Sequence, residues 1–190
     1  MTTEIKEGTT VKHFLSLINS IGKKINQDFT FYPETSIYLI EDISFPCITY
    51  RIKERKPYQG HKPRRKDSYP DKNDKDNTML KYSQMFAGTI EFAIWGKDYK
   101  TVDDKREWFE KFMLRYTDKF REEGMLEVIF QEQLEDKIVE VKDNNFIKQP
   151  LHYYFRNERV LELPVENISS IDTAVNDSVD NYQYIKDRIK

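Results

Sequence analysis

The stretch from Gly88 to Phe130, GTIEFAIWGKDYKTVDDKREWFEKFMLRYTDKFREEGMLEVIF, constrains the fold more than any other part of the chain, because it reads as strand, helix and strand with clear punctuation. Ile90, Phe92 and Ile94 alternate with Glu91, Ala93 and Trp95, the period of two expected of a strand, and Gly96 breaks the run. Thr101 is the predicted N-cap, with Asp103 and Asp104 in the first turn, where the positive end of the helix dipole favours carboxylates. Trp108, Phe109, Phe112, Met113, Tyr116 and Phe120 then recur at spacings of three and four, a stripe of large side chains that a sheet must cover. Gly124 is the predicted C-cap, after which Leu126, Val128 and Phe130 resume the period of two.

The segments around this unit are less sharply written. Residues 1–9 are polar and predicted to be a flexible start; Val11, Phe14, Leu15, Ile18, Ile21 and Ile25 then mark one face of a helix from about Thr10 to Asn26, capped by Thr9 or Thr10. Ile37 to Ile40 suggests a short strand, and Pro46 opens a better one in which Ile48, Tyr50 and Ile52 alternate with Cys47, Thr49 and Arg51. That strand enters the most biased window of the chain, RIKERKPYQGHKPRRK at Arg51 to Lys66, with eight Lys or Arg against one Glu, followed by the acidic, amide-rich DSYPDKNDKDNT. Residues 57–80 are therefore predicted to be a long exposed loop of a hairpin, the kind of segment that carries recognition. Gln131 to Val141 fits either a continuing strand or a short helix, Asp143 to Gln149 reads as a polar turn, and Leu151, Tyr153 and Phe155 mark the last strand. From Pro164 the chain is polar with scattered Ile and Val, an expected arm or tail over 164–190. The resulting expectation is one α+β domain over 10–163, with a small, mainly antiparallel sheet covered by two helices.

Composition bears on what such a domain does. Hydrophobic residues make up 38% and charged residues 34% of the 190, which suits a modest core with a very polar periphery, and the formal net charge of −2 lacks the global basic field of a dedicated nucleic-acid binder. The single cysteine, Cys47, excludes an intramolecular disulfide and a thiolate zinc cage, and reads as a small buried hydrophobe. No apolar stretch reaches membrane-spanning length, and MTTEIKEGTT lacks the features of a signal peptide. No phosphate loop, nucleophile elbow or metal-spaced histidine pair occurs, so no catalytic, cofactor or metal residue is assigned. His13 and His152 approach each other only if the first helix covers the last strand, and Glu132, Glu135 and Asp136 read as a solvated face sooner than a divalent-ion site. The residues singled out for contact with a partner are Arg51, Lys53, Arg55, Lys56, Tyr58, Arg64, Arg65, Lys66 and Tyr69, cations and tyrosines of the kind enriched at interface hot spots. A nucleic-acid contact through the same loop is the weaker alternative, because the acidic run beside it opposes a phosphate footprint.

Four segments, FPCITYRIKERKP at Phe45 to Pro57, GTIEFAIWGKDYKTVDDKREWFEKFMLRYT at Gly88 to Thr117, EGMLEVIFQEQLED at Glu123 to Asp136 and LHYYFRNERV at Leu151 to Val160, together resemble the tail terminator (tail completion) proteins of long-tailed bacteriophages. The likeness is greatest to neck proteins of contractile-tailed phages that infect Gram-positive bacteria. These are patterns of packing and not of catalysis, and a neighbouring neck or connector protein, for head completion or sheath stabilisation, has a similar build. The resemblance implies a structural virion protein, made and assembled in the host cytoplasm. It implies a sixfold homo-oligomeric ring that caps the tail tube or sheath, ends polymerisation and offers a surface to the head connector, with DNA passing through the ring unread. It implies no enzyme activity, no cofactor and no membrane.

Overall fold

The computed structural model describes residues 8–39, 43–71 and 78–165. These form an α+β fold. In chain order the elements are α1 (Val11–Ile25), β1 (Phe31–Pro33), α2 (Ser36–Leu39), β2 (Cys47–Pro57), a 3-10 turn (Tyr58–Gly60), β3 (Arg64–Pro70), β4 (Thr78–Gly96), α3 (Tyr99–Arg115), α4 (Thr117–Glu122), β5 (Met125–Gln133), β6 (Lys137–Val141) and β7 (Asn144–Pro164). The strands make one open seven-stranded sheet in the order β1-β2-β4-β7-β5, with β3 beside β4 and β6 beside β7. Strand β1 runs parallel to β2, while the β2/β4, β3/β4, β5/β7 and β6/β7 registers are antiparallel.

The chain divides into two compact units, Met1–Lys62 with Gln84–Arg159, and Pro63–Ser83 with Val160–Lys190. In the second, β3 pairs with the first residues of β4, from Arg64 opposite Ser83 to Pro70 opposite Thr78, and Tyr69 hydrogen-bonds Glu162. The span expected to be a loop over 57–80 thus contains a strand. Its sequence, RRKDSYP, is polar on both faces, so no alternation announces it. The predicted arm over 164–190 falls outside the described residues from position 166 onward.

In the first unit α1, α3 and α4 cover one face of the sheet. Thr10 caps α1 as expected, its hydroxyl accepting from the His13 amide at 3.1 Å, and Val11, Phe14, Leu15 and Ile18 are buried. Ile25, predicted on the same face, lies in the last turn and is exposed. On α3 and α4, Phe109, Phe112, Met113 and Phe120 join the core formed by Ile48, Ile90, Phe92 and Ile94 from the sheet, with Trp108 and Tyr116 partly buried against it.

Several local readings change. The N-cap of α3 is Asp98, not Thr101: its carboxylate accepts from the Thr101 amide at 2.9 Å and hydroxyl at 2.8 Å, so the helix starts earlier and Asp103 and Asp104 lie beyond its first turn. Ile37 and its neighbours form the single-turn helix α2 instead of a strand, with Tyr38 and Leu39 in solvent, since four residues show no distinguishing period. A register shift between Met125 and Glu127 puts Met125 in the core where Leu126 was expected. The ambiguous Gln131 to Val141 is strand at both ends. Lys142 and Asp143, with φ of 49° and 60°, make the two-residue hairpin turn into β7, so Asn144 to Gln149 is strand and not polar turn. Gly88 allows a close backbone approach, for a Cβ there would sit 1.9 Å from the Glu54 carbonyl oxygen at the β2 bulge.

Candidate functional site

The face of the sheet turned away from α1 and α3 begins with the residues that alternate against the core. Glu91, Ala93 and Trp95 of β4 lie opposite Arg51, Thr49 and Cys47 of β2, and Lys148 and His152 come from β7. Glu91 is only 2% exposed. One of its oxygens takes Lys148 Nζ at 3.0 Å; the other takes Arg51 at 2.8 Å, with His152 Nε2 at 3.3 Å and Lys53 at 3.8 Å. Glu34, just after β1, closes the circuit by binding Arg51 Nε at 3.1 Å and Lys148 Nζ. Burial alone would raise the Glu91 carboxyl. Hydrogen bonds from Arg51 and Lys148 outweigh it and hold the group down at about 2.

Beside this circuit, the Lys148 ammonium lies 5.5 Å from the Trp95 ring centre, and the indole N–H donates to the Thr49 hydroxyl at 2.9 Å. Cys47 is fully buried there in a small cluster with Ile37, Ala93, Trp95, Val141 and Phe146, and burial pushes its thiol up to about 12. The cysteine is an apolar filler, as its setting in the sequence implied. Chemically the cluster is a clamp. Lys148 Nζ lies between two carboxylates, and every Glu91 oxygen already has a cationic partner.

The predicted partner residues therefore divide by what they touch. Arg51 and Lys53 are drawn into the Glu91 circuit. Lys56 pairs with Glu54 at 2.8 Å, and Arg55 lies 4.0 Å over the Phe86 ring. Tyr58 stacks against His61 and carries the Arg156 guanidinium 4.9 Å above its ring. These five belong to the first unit, whereas Arg64, Arg65, Lys66 and Tyr69 belong to the second, the arginines exposed on β3. His13 and His152 do not meet: His13 faces Glu123 at 3.5 Å, and His152 lies between Glu91 and Glu132. Among the described residues no set of His, Cys, Asp and Glu is placed to hold a metal ion, and Glu132 and Asp136 contact His152 and Gln149.

The surface that residue patterns did not reveal lies at the far end of the sheet. Among the described residues strand β5 pairs only with β7, and its Ile129 and Phe130 are 52% and 46% exposed. Leu114 of α3, at 78%, adjoins a cavity of about 250 Å³ lined also by Met113, Val128, Phe130 and Tyr153. Its one trace in the sequence is Leu114 itself, set off the aromatic stripe. No helix among the described residues is long and apolar enough to cross a membrane. A scan against protein-family models and a search of curated proteins return no match to the chain.

Proposed function

We propose that the chain is a structural protein of a bacteriophage virion, a tail terminator that caps the finished tail as an oligomeric ring and joins it to the head, and that it performs no catalysis. The observation that carries this reading is the apolar surface at the β5 end of the sheet, where Leu114, Ile129 and Phe130 stand in water beside an open strand edge. Such surfaces are costly in a solitary subunit and are the usual mark of a protein–protein contact. Two further points support it. The segments that resemble tail terminators fall on β2, β4, α3, β5 and β7, the elements that supply most of the core. The ion-pair cluster around Glu91 is neutralised within the subunit, which favours surfaces over a reactive centre as the means of action. Partners are then other copies, the tail tube or sheath protein, and a head connector.

The test combines the purified protein with polymerising tail tube protein and images the products by electron microscopy. Ring-shaped density on tube ends, with shortened tubes, is the expected result. Tubes of unchanged length with bare ends overturn the reading. Density at the sheath end or on the portal side of labelled particles would instead mark a sister component of the neck.

A further inference from the structure

Two of the longer stretches of sheet edge without a strand partner among the described residues lie in the first unit. Strand β1 covers only Ile48 to Tyr50 of β2, so from Arg51 to Pro57 the outer side of β2 is open. At the other end of the same unit β5 is open along its outer side from Met125 to Gln133. The two edges carry opposite charge. RIKERKP, Arg51 to Pro57, has four cations and one carboxylate; MLEVIFQEQLED, Met125 to Asp136, has four carboxylates and no cation. Each edge also exposes apolar groups toward the helix side. Ile52, 48% exposed, borders a groove of about 390 Å³ with Leu15, Phe31 and Tyr50, and β5 has Phe130 beside Leu114.

An open edge invites any extended chain, and proteins blunt such edges with lysines and bulges. Both devices are present: β2 carries Lys53 and Lys56 and a register shift between Ile52 and Glu54, and β5 has shifts at Met125/Glu127 and Phe130/Glu132. Like edges repel, since two β2 strands would oppose four cations to four and two β5 strands four carboxylates to four. The strand that satisfies either edge must be bulged in register and opposite in charge. The same chain supplies it.

We propose that the open β2 edge of one copy pairs with the open β5 edge of the next, a head-to-tail contact that continues the sheet from subunit to subunit. Cross-strand pairs between Arg55 or Lys56 and Glu127 or Glu132 select the partner, and Ile52, Ile129 and Phe130 lose their water. A contact between two different surfaces repeats until it closes into a ring or grows as a filament. This deepens the ring reading, and the closed outcome rests on it.

The test is a charge exchange followed by native mass spectrometry and sedimentation. Wild type is expected to associate, and more weakly as salt rises. Arg55→Glu with Lys56→Glu in one chain, and Glu132→Lys with Gln133→Lys in another, should each weaken self-association roughly a hundredfold. Mixing the two, or uniting all four substitutions in a single chain, should restore it. Near-ultraviolet circular dichroism checks folding, and Ile129→Asp gives an independent block of the β5 edge should a charge-reversed chain fail to fold. A discrete ring that neither variant disturbs overturns edge pairing and leaves the tail-terminator reading standing. Filaments that both variants abolish uphold edge pairing and overturn the tail terminator. A wild type that stays monomeric at every concentration overturns edge pairing, as do variants that fold and associate like wild type.

Discussion

The two faces of the sheet in the first unit are stabilised by different physics. Under the helices, Phe29, Phe92, Phe109, Phe112 and Phe120 pack ring against ring, with Phe112 within 6.3 Å of five other aromatic centres. There, volume and shape decide stability. On the opposite face, Glu91, Lys148, Arg51 and Glu34 form a closed ionic circuit beside a small apolar cluster. There, each charge is tolerable only because its partner is present. The face under the long helices thus depends on filling space, and the opposite face depends on pairing what it buries.

The contrast breaks most readily at Phe112. Phe112→Ala should cost about 3–5 kcal/mol in a urea titration, as deletion of a buried ring does, and the loss should be the same at pH 7 and pH 4. If the loss proves small, the helix face is less tightly packed than its ring contacts imply. On the other face, Glu91→Gln keeps the volume but removes the charge that Arg51 and Lys148 share, and should cost about 2–3 kcal/mol by the same measurement. That loss should depend on acidity. The Glu91 carboxyl is held at about 2 against an ordinary 4.5, so the folded state binds its proton less readily than the unfolded state. The stabilisation is complete above pH 4.5 and fades as pH falls toward 2, and the gap between wild type and Glu91→Gln should close over the same interval. A gap that stays constant with pH would mean that Glu91 acts through packing alone. The smallest effect belongs to the solvent-facing pair of Lys111 and Glu107 on α3, 2.8 Å apart. Lys111→Ala should leave the unfolding midpoint unchanged, which checks that the circuit matters because it is buried.

Much of the helix-covered face was legible from residue spacing. Thr10 as cap, the stripe from Trp108 to Phe120 and the alternation of Ile90, Phe92 and Ile94 against Glu91, Ala93 and Trp95 are all realised. Periodicity worked because it is local, written within a few turns or one strand. It failed where backbone register intervened: the shift after Met125 exchanges that residue for Leu126, and the turn at Lys142 and Asp143 admits Phe146, Ile147, Lys148 and Gln149 to the interior. A run as polar as KDNNFIKQ reads as a turn until partners for its polar groups are known. Gln149 Nε2 donates to Asp103 and Asp136, and Lys148 Nζ to Glu34 and Glu91.

The basic stretch after Tyr50 shows the division most clearly. Its charge excess is plain from composition, and the sequence alone determined that Arg51 to Lys66 lies at the surface, as it determined the two amphipathic helices and the alternating strands. Only the tertiary structure decided which of those cations are already spoken for. Arg51 and Lys53 turn inward to Glu91, about forty positions away, while Lys56 pairs with nearby Glu54 and stays with Arg55 on an open edge. It also decided that β5, whose residues alternate like any core strand, stands at the end of the sheet with Ile129 and Phe130 in water. Strand order and ion pairing are set by contacts between distant segments, and a local pattern carries no record of which segment will arrive beside it.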